Sequence, residues 1–148
     1  MPTRSGSTLR FADLADRDDQ ALGDNVYGDW YETASASARR SRTHAQVLAR
    51  ARFILEVVPI EAFADQFPRN ARFYLNADDD PDRYELVKRL TTRYRRALPV
   101  PPVVAVCSGE RWHILDGQHR LTAAFLAGLK VIAVHRLIGF PRLIREKE

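Results

Sequence analysis

Asp116, Gly117, Gln118, His119 and Arg120 stand consecutively between Trp112–Leu115, which reads as a strand, and the run LTAAFLAG, which reads as a helix. A turn from strand to helix leaves the first N–H groups of the helix without intrahelical acceptors, at the positive end of the helix dipole. Such a turn attracts anions. Gly117 permits a phosphate to approach the backbone closely, and Arg120 offers a guanidinium fork that grips two phosphate oxygens. His119 donates a hydrogen bond or transfers a proton near neutral pH. Asp116 has two readings of equal weight. It is either the N-cap of the helix or a working carboxylate, and the second requires a cation or a substrate hydroxyl between it and any phosphate. Adjacent His and Arg at a helix N-terminus are opposed by the dipole, so their presence there points to an anion.

The elements that must hold this turn are legible downstream of residue 52. Asp78, Asp79 and Asp80 precede Pro81 and Asp82, which supplies an N-cap, a proline for the first helical position and acids at the positive end of a helix. That helix carries Leu86, Val87, Leu90, Tyr94 and Leu98 on one side and stops before the prolines at 99–102, with its cations near the C-terminal end. Val103–Val106, the turn SGER and Trp112–Leu115 predict a hairpin. Leu121, Ala124, Phe125 and Gly128 predict a short helix closing at Gly128, and KVIAVHRLI a further strand.

Upstream, the segment from Ser37 predicts one basic helix ending near Arg52, followed by a first strand in FILEVVPI. Arg39, Arg40, Arg42, Arg50 and Arg52 make this the most basic window. A solvated helix face is the default reading and contact with nucleic-acid phosphates the alternative. Residues 1–36 show only isolated apolar anchors. The patch Tyr27–Tyr31 is suited to stacking a base, with packing against the rest of the chain as its ordinary role.

The chain has 148 residues, 45% apolar and 28% charged, with a net charge of +4. This describes one globular domain with an accessory end and permits an anionic partner without demanding one. The single cysteine, Cys107, cannot form an internal disulfide. With no apolar run of spanning length and no signal-like N-terminus, a cytoplasmic protein is expected.

The unit WHILDGQHRLTAAFLAGLKVIAVHRL resembles the core of the ParB and sulfiredoxin superfamily, in which a strand enters a G-x-x-R-x-x-A turn and helix followed by Gly and another strand. Here the pattern is Gly117, Arg120 and Ala123, with Gly128 as the later glycine. The resemblance extends more loosely to LEVVPIEAF, to the helix from Pro81 and to PPVVAV. It implies a compact α/β fold, a mixed sheet with flanking helices over residues 52–148, preceded by a partly helical, basic extension at 1–51. It also implies that the turn binds nucleotide phosphates, through Gly117, Gln118, His119 and Arg120.

Members of the superfamily differ in chemistry: sulfiredoxins use ATP and a cysteine in the turn, partition proteins use CTP, a free-serine kinase uses ADP, and others are nucleases or DNA-associated regulators. Gln118 stands where sulfiredoxins carry their cysteine, which argues against thiol chemistry. Partition proteins continue into a helix-turn-helix domain, whereas about ten residues come after the last expected strand here. The resemblance therefore implies a nucleotide-dependent phosphotransferase or phosphohydrolase, using ATP, ADP or CTP with Mg2+ and a small hydroxyl acceptor. Asp116 would orient the acceptor or hold the metal, His119 would work beside it, and Glu56 or Glu61 would be the general base, with Glu61 carried as the candidate. The alternative is a binding module for nucleotide or nucleic acid without turnover.

Overall fold

The computed structural model describes residues 8–14 and 20–141. The expectations for the first residues and for the tail after Pro141 lie outside them. Among the described residues the chain is α/β, with five strands in one mixed sheet of order β1-β2-β5-β3-β4 and helices flanking it. The elements run β1 (Leu9–Arg10), α1 (Phe11–Leu14), α2 (Gln20–Thr33), α3 (Ala36–Ser41), α4 (His44–Arg50), β2 (Arg52–Pro59), a 3-10 helix (Ile60–Gln66), α5 (Phe67–Tyr74), α6 (Pro81–Arg95), β3 (Val103–Ser108), β4 (Arg111–Asp116), α7 (Gln118–Leu126) and β5 (Val131–Gly139). No helix among the described residues is long and apolar enough to cross a membrane. Contacts group the chain into two units, one built from the segment up to Leu55 and from Arg136 onward, the other from Glu56–His135.

In the first unit, α2 forms where the sequence shows only scattered anchors. Leu22, Val26 and Trp30, four residues apart, are buried on one face. Gly23 lies beside them, where a Cβ would come within 3.3 Å of Leu48 Cδ1 of α4. The basic stretch forms two helices instead of the single one expected. Thr43 adopts extended geometry (φ −84°, ψ 161°) and closes a capping box with Gln46: its hydroxyl accepts from Gln46 N at 3.1 Å and its N–H donates to Gln46 Oε1 at 2.9 Å. Two orphan donors are satisfied at once, which makes a new helix start more favourable than continuing the old one.

The second unit has its core in Val58, Phe63, Val103, Ala105, Leu121, Ala124, Ile132 and Val134. Burying each such side chain removes it from water at a gain of about 1.5–3 kcal/mol for the larger ones. α6 starts as its sequence predicts, with the Asp80 carboxylate accepting from Arg83 N at 3.1 Å. It ends on Ala97 at φ 55°, with Leu98 N–H bonded to Arg93 O at 2.9 Å. A left-handed residue other than glycine costs about 1 kcal/mol. The prolines directly downstream make that cost hard to avoid, since they forbid helix continuation. The predicted hairpin is present, with β3 and β4 antiparallel and Ser108 opposite Arg111.

Candidate functional site

The turn at the end of β4 is shaped by an irregularity in the hairpin. Ala105 pairs with Ile114, yet Val104 pairs with Asp116, so Leu115 is an extra residue on β4. A bulge of this kind bends its strand and re-aims the residues beyond it. Asp116 thus ends the strand, and Gly117 (φ 111°, ψ 28°) is the N-cap of α7 with no side-chain cap bond. The reading of Asp116 as N-cap is corrected: the bulge and the left-handed glycine place the cap one residue later. A Cβ at Gly117 would stand 2.8 Å from Val103 Cγ1. Close packing of the turn on β3 therefore requires glycine here, whatever binds.

Gly117 O accepts from Leu121 N at 2.8 Å, so the N–H groups of Gln118, His119 and Arg120 precede the first intrahelical bond of α7. Gly117, the cap residue, offers them no side chain. The side chains of these residues are each held. Arg120 Nη1 donates to Pro102 O at 2.6 Å, and Nη2 lies 3.4 Å from Asp116 Oδ2. Its guanidinium thereby ties the turn to the entry of β3 and offsets the carboxylate that would otherwise repel an anion. Both partners are about one quarter exposed, at 25% and 28%, so the pair is not screened as a surface salt bridge would be.

Gln118 Oε1 accepts a 2.6 Å bond from Nδ2 of Asn70, a residue of α5 that is only 5% exposed. His119 packs its ring on Tyr74, one helical turn further along α5, with centroids 4.6 Å apart. Arg83 of α6 lies 3.9 Å over the Phe73 ring and 5.6 Å from that of Tyr74. It donates to Phe73 O at 2.8 Å and pairs with Asp79 and Asp80.

These neighbours set protonation. Burial holds His119 below the ordinary histidine range; the Arg83 and Arg120 guanidinium groups lower it further, against an opposing pull from Asp80. His119 is therefore neutral at pH 7, a proton acceptor rather than the cation that its sequence position suggests. Burial, with Arg120 acting in the same sense, also lowers His135 on β5. The Tyr94 phenol is pushed up to about 12 by burial, with Arg120 pulling the other way. Tyr74 is raised by burial, with Arg83 opposing.

The structure brings Asp116, Gly117, Gln118, His119 and Arg120 together. It does not join Glu61 to them: Glu61 is exposed on the 3-10 helix, and no hydrogen bond or ion pair links it to the turn. Among the described residues no group of three His, Cys, Asp or Glu is assembled for a metal. The donor set fits a phosphate, whereas magnesium beside Asp116 would depend on a nucleotide's own phosphates for most of its ligands. Asn70, Tyr74 and Arg83 were not anticipated. A signal existed, since Phe67, Asn70, Ala71 and Tyr74 keep helical spacing and place a polar residue within an apolar stripe.

The basic window of the first unit is held differently. Arg39 Nε donates to Tyr31 O at 2.7 Å and its guanidinium lies 4.4 Å from the Tyr31 centroid. Arg52 Nη1 donates to Ala49 O and Ala51 O. Trp30 is 3% exposed and packs near Tyr27, which stacks on His44 at 4.8 Å. The patch is thus largely self-occupied. Cys107 is half-buried near the hairpin end, its Sγ 3.4 Å from Gly109 O.

Comparison with family models, curated proteins and solved structures finds no match to this chain.

Proposed function

We propose that the chain binds a nucleotide by its phosphates at the head of α7 and transfers or hydrolyses the terminal phosphoryl group, as its resemblance to the ParB and sulfiredoxin superfamily implies. The observation that carries this reading is the gathering of Gln118, His119 and Arg120 in the first turn of α7, with Arg120 held by Pro102 O and Asp116 and Gln118 held by Asn70. The amides and Arg120 attract and orient phosphate. A neutral imidazole accepts the proton of an attacking hydroxyl or water. In the transfer step the bond from the acceptor oxygen to phosphorus forms, the bond to the leaving nucleoside phosphate breaks, and His119 holds the acceptor's proton.

His119 takes the base role here in preference to Glu61, which has no contact with the turn. Asp116, paired with Arg120, positions that guanidinium. Nucleotides such as ATP, ADP or CTP place the proposed working compartment in the cytoplasm, in keeping with the unpaired Cys107.

Calorimetric titration with ATP, ADP, CTP and GTP, with and without Mg2+, tests the reading on wild type, His119→Gln and Arg120→Lys. Binding of at least one nucleotide, weakened in both variants while circular dichroism stays native, is the expected result. Phosphate release or transfer should fall furthest in His119→Gln. No binding by wild type, or equal binding by all three, would sink the proposal.

A further inference from the structure

Two consecutive side chains of the turn are each met by one residue of α5. Asn70 and Tyr74 are four apart, so they project from the same face of that helix. Asn70 reaches Gln118 through a 2.6 Å bond and Tyr74 covers the His119 ring at 4.6 Å. Asn70 is almost fully buried, and its Nδ2 is the donor, so Gln118 Oε1 is already occupied. With Oε1 turned to Asn70, the N–H groups of the Gln118 amide point the other way. Behind Tyr74, Arg83 lies over the Phe73 and Tyr74 rings and is fixed by Phe73 O and by the Asp79 and Asp80 carboxylates.

We infer that α5 is a positioning clamp: Asn70 fixes Gln118 as a hydrogen-bond donor towards a phosphate at the turn, and Tyr74, braced by Arg83, fixes the His119 ring beside it. The inference rests on the proposed phosphate site and adds how that site recognises its ligand. A phosphate oxygen only accepts, so a glutamine locked as donor favours it, while a freely rotating glutamine presents its carbonyl half of the time. The clamp also selects against a ligand group that donates at that position, because Gln118 Oε1 is turned away from it, towards Asn70.

The charged and titratable groups around His119 come from each packed element: Tyr74 on α5, Asp80 and Arg83 at the head of α6, Arg120 on α7 itself, and Asp116 at the end of β4, paired with Arg120. Tyr74 is the one whose ring packs directly against the imidazole, tilted by 57°. Removing it exposes the imidazole and relaxes its orientation together.

The test uses inorganic pyrophosphate, which carries the phosphate chemistry without a base, and two double-mutant cycles on the full chain. Asn70→Ala alone should weaken pyrophosphate binding about tenfold, the scale of one hydrogen bond to a charged group. In a Gln118→Ala background the same change should have almost no further effect. Tyr74→Ala should behave likewise against His119→Ala, and Tyr74→Phe should restore binding. Additive losses would overturn the clamp, because residues acting through one another are not additive.

An NMR titration of the His119 imidazole in the free protein supplies a readout independent of ligand. Tyr74→Ala and Arg83→Gln should each raise its titration midpoint, Arg83→Lys should leave it near wild type, and Tyr74→Phe should do the same. A midpoint that neither Tyr74→Ala nor Arg83→Gln moves overturns the clamp whether or not pyrophosphate binds. If wild type binds no phosphate compound while the midpoint moves as stated, the phosphate reading fails and the His119 arm of the clamp stands.

Discussion

Arginine is used in opposite ways in the two units. Arg39 and Arg52 donate to carbonyls of their own neighbourhood, at Tyr31, Ala49 and Ala51, and are half-buried. Arg83 and Arg120 also donate to carbonyls, at Phe73 and Pro102, yet their charges act on His119, and that of Arg120 also on His135 and Tyr94. Neighbours make the difference, since all four arginines are half-buried. A half-buried charge reaches its neighbours through a poorer dielectric than water, and where a neighbour is an imidazole it changes whether that ring carries a proton. A count of basic residues along the sequence marks the first unit; the imidazoles that arginines act on, His119 and His135, lie in the second.

The sharpest way to break this comparison is to dislodge the turn. Gly117→Ala drives a Cβ to within 2.8 Å of Val103 Cγ1 at a positive φ, and overpacking with left-handed strain together cost about 2–4 kcal/mol. Urea denaturation should show that loss, and nucleotide binding should fall with it as Arg120 and His119 shift. A next step removes the guanidinium alone. Arg120→Ala forfeits the bond to Pro102 O and leaves Asp116 without that cation, a loss of about 1.5–3 kcal/mol for hydrogen bonds to a charged group. NMR should then find the His119 and His135 midpoints raised. Unmoved midpoints would mean that Arg120 is no different from the arginines of α3 and α4.

The two histidines also give stability a pH dependence of definite sign. Both are depressed in the folded chain, so the unfolded chain, with histidine near 6.5, binds more protons through the window between the two values. Stability is complete above the unfolded value and is lost as pH falls through the folded ones. Urea midpoints should therefore drop from pH 7.5 to pH 5, and drop less in Arg120→Ala, where one cause of the depression is gone. An equal slope in both proteins would show that Arg120 does not contribute to the depression of these rings.

How much of this was legible in sequence depends on how local the determining contacts are. The start of α6 is encoded in Asp80 and Pro81, and the hairpin in two apolar runs about a glycine turn, all within a few residues. Thr43 and Gln46 carried an equally local signal for a helix start, hidden by the run of arginines that favours one continuous helix. Gly28 and Asp29, poor helix formers, hid α2 in the same way. The bulge at Leu115 is a property of two strands in register, which β4 by itself cannot express. The five residues from Asp116 to Arg120 stand out as a candidate site by their types. Their protonation and orientation depend on Asn70, Tyr74 and Arg83, between 36 and 48 positions away by number, and no spacing rule reaches that far.

The smallest expected effect sharpens the comparison from the other side. Arg39→Gln with Arg40→Gln removes two of the charges that dominate the basic window, one of them lying over Tyr31. The cost should be about 0.5–1 kcal/mol, the scale of one exposed cation–π contact. Neither His119 nor His135 should change its midpoint, and pyrophosphate affinity should stay within error at 0.15 M salt. The same variant decides whether this window serves a nucleic acid. Binding of single-stranded or duplex DNA that is strong at low salt, falls steeply as salt rises and weakens in the double variant would make α3 and α4 a phosphate-tracking surface. The two units would then differ in ligand rather than in whether their arginines act on one, because a backbone contact needs charge alone while a transfer site needs charge together with a base.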